Sequence, residues 1–395
     1  MIFNESLYYL LLFLTSVVFF LVPTQKRRWV LVASGVLFYG YYAREYLIVV
    51  SLELFLAYHF TKQSSRKKTI GVICIIIGIL GYFKYRFFAH NIINHFTSFF
   101  KAGSGLNGET IILPLAISFF TFEFVHFVIE KDHKNIKSVS FQELAAFIFF
   151  FPTMIAGPIK RFSAFNIQID VVQLLPENVL SGVIRILLGL FKKIVIADTL
   201  STIVGNLLTS SLAVSAVNPI RLWIALFSYS WQIFFDFSGY SDIAIGSARL
   251  FGFIVPENFQ RPYFASNIAS FWKRWHQSLY QWLIDYIFIP LGGNRLGLTR
   301  TCINILLTMI ISGLWHGAGP NFIAWGLYHA ILLIGYRLYT VYFANRTIFK
   351  SQNNILIRCV STLTTFIFVS LGWVFFVAPT SVSLVVLKKL FLFIE

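Results

Sequence analysis

Apolar residues occur along this chain in long uninterrupted runs, and short basic patches separate them. The first run covers residues 4–22 and is followed by Lys26, Arg27 and Arg28. A short second run, 29–42, ends at Arg44 and Glu45; a third, 46–60, is followed by Lys62, Arg66, Lys67 and Lys68. Further runs cover 69–88, 111–130, 141–159, 179–197, 220–237, 302–315, 322–342 and 355–377, and a last apolar stretch reaches Lys388 and Lys389. Runs of about 20 apolar residues predict membrane-spanning helices. A transmembrane barrel would show alternating segments of about 10 residues, which these are not, and in lipid only helices then satisfy the backbone. The pattern predicts an all-α polytopic membrane protein of about eleven segments. The third run is below span length and is expected to be tilted, partly interfacial or buried against neighbours. No internal repeat or low-complexity linker is visible, and no stretch is polar enough to form a soluble domain. Residues 1–395 therefore read as one membrane domain.

Composition agrees. Of 395 residues, 57% are hydrophobic, 18% aromatic and only 12% charged, with a mean hydropathy of +0.74. Soluble domains carry about 25% charged residues, so a cytoplasmic globular enzyme, a disordered tail and a secreted disulfide scaffold are excluded. The net charge is +16 and the pI about 9.8. In a soluble protein that balance would suggest nucleic acid, but here the basic residues gather in short loops, as in cytoplasmic loops of membrane proteins. No nucleic-acid partner is expected. The two early basic clusters lie in alternate loops, which puts both in the cytoplasm and the N-terminus outside. The first run has no basic leader before it and reads as a retained span rather than a cleaved signal. Cys74, Cys302 and Cys359 are too few and too scattered for a disulfide framework or a zinc pattern.

Ionisable groups inside apolar runs are costly and point to function. Glu123, His126 and Glu130 share one helical face. Glu-x-x-His is half of a di-iron site, but no second copy exists, so a hydrogen-bonded polar stripe is favoured over metal. Pro152 and Gly157-Pro158 break the run at 141–159, and the following Lys160 and Arg161 have two readings, an anionic ligand or lipid headgroups. Asp236 and Asp242, six residues apart around Gly239, read as an acid–base pair or as caps on a broken helix. Residues 266–289 have the period of one amphipathic helix: Phe271, Trp275, Leu279, Trp282 and Tyr286 on one face, Arg274, Gln277, Gln281 and Asp285 on the other. Such helices lie in the membrane interface or re-enter it. His276 falls at the boundary between those faces. His316 ends the run at 302–315, between Trp315 and Gly317, where backbone can approach closely. A lone membrane histidine is more often structural than catalytic, and on pattern alone both roles stand for His316. No Gly-x-Ser-x-Gly elbow and no P-loop is present, so neither a serine hydrolase nor an ATP-driven pump is indicated.

Several segments are similar to a known family: LPLAISFFTFE (113–123), FPTMIAGPIKR (151–161), GLFKKIVIAD (189–198), DFSGYSDIAIGSARLFG (236–252), ENFQRPYFASNIASFWKRWHQSLYQWLIDYIFIPLGGNR (257–295), SGLWHGAGPNFIAWGLYH (312–329) and GWVFF (372–376). Together, in this order, they resemble the membrane-bound O-acyltransferases. Within that family the likeness is to the alginate O-acetylation branch, which also holds peptidoglycan O-acetylases and the subunit that D-alanylates teichoic acids. The resemblance implies helices around a central tunnel, an acyl donor reaching it from the cytoplasm and an acceptor from outside. It implies that His316, the WHG histidine, is catalytic, that His276, the RWH histidine, is the second candidate, and that His329 is structural. Val377 stands where the branch usually has Arg after GWVFF. The chain is closer in length to the alanylating subunit, yet it retains PLGGNR, which that subunit lacks.

The expected reaction joins a thioester carbonyl to a hydroxyl, with His316 as general base and His276 holding the donor carbonyl or relaying a proton. The donor is expected to be acetyl-CoA or an acyl-carrier-protein thioester, with no bound cofactor and no metal. Lys160, Arg161, Asp236, Asp242, Lys273, Arg274 and Asn294 are the candidates for binding or orienting substrates. Expected partners are membrane lipids, a cytoplasmic carrier protein, an extracytoplasmic acyl-transfer protein and a polysaccharide acceptor, at the bacterial inner membrane. Two alternatives stand beside acetylation. One is D-alanyl transfer from a carrier protein to teichoic acid; the other is a polysaccharide-precursor transporter without chemistry.

Overall fold

A computed structural model describes residues 5–60, 65–100, 114–133, 138–343 and 355–391, with side chains throughout except at 87–100 and 133. Lys62 and residues 111–113, the start of one predicted run and of its motif, lie outside the described residues. All regular elements among the described residues are helical. They form two compact units, Met1–Gly189 with Tyr240–Pro256, and Leu190–Gly239 with Glu257–Glu395.

The first unit begins with α1 (Ser6–Leu21), α2 (Thr24–Ala43), α3 (Leu47–Phe60), α4 (Arg66–Phe100) and α5 (Ile117–His133), each over an apolar run of the sequence. The run at 141–159 becomes two short helices, α6 (Phe141–Ile148) and α7 (Phe151–Met154), and a buried extended segment leads on to α8 (Phe162–Ile169). A Ser140–Glu143 capping box starts α6. Pro152 prevents α6 from continuing, because its ring would meet the carbonyl four residues back. Next, α9 (Pro176–Leu190) runs into a π-helical segment, Phe191–Ala197.

The second unit holds α10 (Asp198–Val204), α11 (Ser211–Ser215) and most of α12 (Pro219–Leu250). Then follow α13 (Ile268–Trp272), α14 (Gln277–Leu283), a π-helical segment Ile284–Phe288, α15 (Gly297–His316), α16 (Pro320–Tyr342), α17 (Ile355–Val377) and α18 (Thr380–Phe391). Two sequence expectations are corrected here. α12 passes through Gly239 unbroken, so Asp236 and Asp242 cap nothing. Residues 266–289 are not one helix: the chain turns at His276, whose φ of 46° is left-handed. Of the five residues expected on one apolar face, Phe271, Trp275, Leu279 and Trp282 are buried and Tyr286 is partly buried.

Arg66–Arg86, Gly297–His316, Pro320–Tyr342 and Ile355–Val377 are long and apolar enough to cross a membrane among the described residues, and Ser6–Leu21 is a shorter apolar helix. Leu21, Ile184, Leu187, Ile331 and Leu363 are outward-facing and exposed. An apolar surface of this extent fits contact with lipid rather than water.

The core of the second unit is built from indoles. Trp272, Trp275, Trp325 and Trp373 pack with Tyr263 and Phe271. The Trp373 indole donates to the Tyr263 hydroxyl at 3.1 Å, which donates to the Ser230 carbonyl at 2.6 Å. Val377 packs against a neighbouring apolar cluster that includes Leu226, Val374 and Val386. An uncharged side chain therefore suits this position.

Candidate active site

His276 and His316 come together in the second unit. α15 ends at His316, and Gly317, Gly319 and Pro320 carry the chain around into α16. The two helices pack back on each other closely enough that a Cβ on Gly326 would collide with the Met309 carbonyl, and one on Gly313 with that of Phe322. These contacts fix an antiparallel register. His316 is half-buried among three aromatic rings, Trp315, Trp325 and Phe376, at centroid distances of 4.8, 5.1 and 5.2 Å. The Trp315 indole also lies 6.0 Å from the His276 ring, so one side chain touches both imidazoles.

His276 sits at the turn between α13 and α14 and is 1% exposed. The left-handed conformation costs a non-glycine residue about 1–2 kcal/mol. Asn258 holds it in place. Its carbonyl accepts from the Gln277 N–H at 2.9 Å, and its side-chain oxygen accepts from the Ser278 hydroxyl at 2.6 Å. Neither ring nitrogen of His276 has a hydrogen-bond partner among the described residues. Buried polar groups are almost always paired, and His276 is an exception that lines a cavity.

A cavity of about 830 Å³ adjoins His276. Its walls include Ile305, Thr308, Met309 and Ser312 from α15, and Leu333, Tyr336, Arg337 and Thr340 from α16. Each set has the spacing of one helical face. His316 continues the α15 stripe one turn past Ser312. In the register set by Gly313 and Gly326, Arg337 lies level with Leu298 and close to Arg295, about 27 Å from His316 along the helix at 1.5 Å per residue. Lys273, Arg295 and Arg337 line the cavity, and no carboxylate among the described residues does. The Arg337 Nε is buried without a partner. Asn304 donates to the Gly293 carbonyl at 2.9 Å and so anchors the glycine turn that forms another wall.

The remaining candidates separate. Lys273 and Asn294 line the cavity; Arg274 does not. Asp236 pairs with Lys193 at 2.8 Å, and Lys193 also reaches Asp198 at 2.5 Å. In the first unit Asp242 pairs with Arg185 at 2.7 Å. Lys160 is 2% exposed, bonded to Glu123 at 2.5 Å and 4.4 Å from the centre of the Phe147 ring. A lysine neutralised and enclosed in this way is not open to an anionic ligand or a headgroup, which corrects that expectation. Arg161 lies 3.3 Å from His126 Nδ1, while His126 Nε2 accepts from the Phe162 N–H at 2.9 Å. The stripe of Glu123, His126 and Glu130 is thus hydrogen-bonded to the segment beginning at Lys160. His329 is fully buried between Trp272 and Trp325, and neither of its ring nitrogens has a hydrogen-bond partner among the described residues.

Sequence reasoning missed Asn258, Ser312, Arg295 and Arg337. Asn258 and Ser312 lie inside segments quoted above, but nothing in their spacing marks them. Arg337 lies three residues from Leu333-Ile334 in an apolar run, where an intramembrane charge was itself a signal.

The family model for MBOAT, the membrane-bound O-acyltransferase family, matches residues 10–377. A protein named "Probable alginate O-acetylase AlgI" from Azotobacter vinelandii is 33% identical over 388 residues, 95% of this chain and 75% of its own length. The peptidoglycan O-acetyltransferase of Helicobacter pylori is 34% identical over 90% of this chain and 71% of its own. The teichoic acid D-alanyltransferase of Bacillus subtilis is 30% identical over 58% of this chain and 60% of its own. The all-helical fold of the described residues, with its membrane-length apolar helices, is that of a membrane-embedded protein. The chain belongs to the membrane-bound O-acyltransferase family and is a multi-pass membrane O-acyltransferase.

Proposed function

We propose that this protein moves an acetyl group from a cytoplasmic thioester to a hydroxyl of an extracytoplasmic cell-envelope polysaccharide, with His316 as general base. The observation that carries the reading is the convergence of His276 and His316 on Trp315, beside a cavity whose only charged lining groups are cations. His316 takes the proton of the acceptor hydroxyl as its oxygen adds to the thioester carbonyl, and returns it to the departing thiolate. His276, with both nitrogens unpartnered, meets the donor carbonyl or relays the proton. Holding both substrates in a narrow dry site supplies much of the rate. Lys273, Arg295 and Arg337 attract an anionic donor such as acetyl-CoA, or the phosphate of a carrier-protein arm. The acetyl group follows the two relatives named as O-acetyl-transferring, which align over nine-tenths or more of the chain; the D-alanyl-transferring relative aligns over little more than half. We place the protein in the bacterial inner membrane, acting with an extracytoplasmic acyl-transfer partner.

The test supplies the purified chain in detergent and a soluble polysaccharide as hydroxyl acceptor with labelled acetyl-CoA and, separately, with acetyl- and D-alanyl-carrier thioesters. Acetyl label is expected to leave its thioester only when His316 is intact, and His316→Ala should lower the rate about 10²–10⁴-fold. Undiminished turnover in His316→Ala would reject the base, and turnover of the D-alanyl thioester alone would reject the acetyl assignment.

A further inference from the structure

Of the hydroxyl and indole groups of the second unit that are buried without a partner among the described residues, Ser312 and Trp272 line the cavity beside His276, whereas Ser238, Trp325 and Thr380 do not. Ser312 is 1% exposed, and its hydroxyl has no partner among the described residues. Helical Ser and Thr normally bond back to the carbonyl one turn earlier, and on the same helix Thr301 and Thr308 do so at 2.8 and 2.7 Å. Ser312 does not. Trp272 is 4% exposed, and its indole N–H is likewise unpaired. Both residues line the cavity that adjoins His276. Ser312 precedes His316 by one helical turn. The Trp272 ring lies 5.6 Å from that of Trp325, which lies 5.1 Å from that of His316. Two neutral donors without a partner among the described residues therefore line one cavity, Ser312 one helical turn before His316 and Trp272 separated from it by the Trp325 ring.

We infer that the Ser312 hydroxyl and the Trp272 indole N–H form the oxyanion-binding donors of this enzyme. The inference rests on the reading of His316 as general base in transfer from a thioester. When the acceptor oxygen bonds to the carbonyl carbon, the C=O π pair moves onto the carbonyl oxygen, and these two donors bond the resulting anion. Collapse re-forms C=O and breaks C–S. The proton taken by His316 passes to the sulfur. Neutral donors held in a water-excluded site favour a charge that appears only in the transition state, and they need no reorganisation when it does. Leaving them unpaired costs stability in the resting protein, and that cost is understandable where the missing partner is the reacting oxygen.

The experiment compares the native chain, Ser312→Ala, Trp272→Phe, the double variant and His316→Ala in detergent, with acetyl-CoA as the donor probe and a soluble polysaccharide as the hydroxyl acceptor. Binding of a non-reactive thioether analogue of acetyl-CoA and the melting temperature are measured alongside. Each single donor variant is expected to lose about 10²-fold in kcat, with KM and analogue binding within about threefold of native. Ser312→Thr, which keeps a hydroxyl, should recover at least a tenth of the native kcat. Donor variants that turn over within about threefold of native while His316→Ala is dead overturn this inference and leave the base standing. A loss that appears in analogue binding or folded fraction instead of kcat also overturns it. An active His316→Ala removes the reading on which it rests.

Discussion

The molecule contains two buried polar clusters with opposite bookkeeping. In the first unit Glu123, His126 and Glu130 on α5 are all engaged by the segment from Lys160 to Ser163. In the second unit His276, Ser312, Trp272 and Arg337, which line one cavity, each carry a buried polar atom with no partner among the described residues. Both clusters draw on quoted sequence segments, and both place histidine beside glycine- or proline-broken backbone. The satisfied cluster pins a non-helical segment inside the protein, where unpaired backbone and charge would be costly. The second cluster surrounds a cavity.

The largest expected effect lies in the satisfied cluster. Lys160→Met leaves Glu123 buried and uncompensated, and should destabilise the protein by about 3–5 kcal/mol, measured by thermal melting in detergent. Adding Glu123→Leu removes the orphan charge and should restore most of that loss. If Lys160→Met melts like the native chain, the ion pair does not hold this segment. The unsatisfied cluster should respond the other way. His276→Asn, a residue that tolerates the left-handed turn, is expected to melt within about 1 kcal/mol of native and to lose about 10²-fold in transfer rate. A large fall in melting temperature with activity per folded molecule intact would make His276 architectural. The smallest effect is expected at the cavity's distant end. Arg337→Gln should raise KM for acetyl-CoA about tenfold, the equivalent of about 1.4 kcal/mol, with kcat unchanged. The native enzyme's KM should also rise with salt more steeply than the variant's. An Arg337→Gln enzyme with native KM at low salt would take the arginine out of donor binding.

Much of this was legible along the chain. The runs at 302–315, 322–342 and 355–377 became α15, α16 and α17 with boundaries shifted by only a few residues, because a helix in lipid is decided by local hydropathy and backbone satisfaction. The breaks at Pro152 and Gly157-Pro158 were visible because proline acts locally. Residues 266–289 misled because hydrophobic period cannot register a single left-handed residue, and the turn at His276 is held by Asn258, eighteen positions earlier. Lys160 and Asp242 read as ligand-binding because their partners, Glu123 and Arg185, lie 37 and 57 positions away.

The sequence by itself determined the class of environment, the helical architecture and the two histidines worth watching, since each follows from composition, short-range pattern or motif order. Only the tertiary structure decided which charges cancel one another and which polar atoms are left without partners. Hydrogen bonding is a property of pairs, and the partner of a buried group is chosen by packing between helices far apart in the chain.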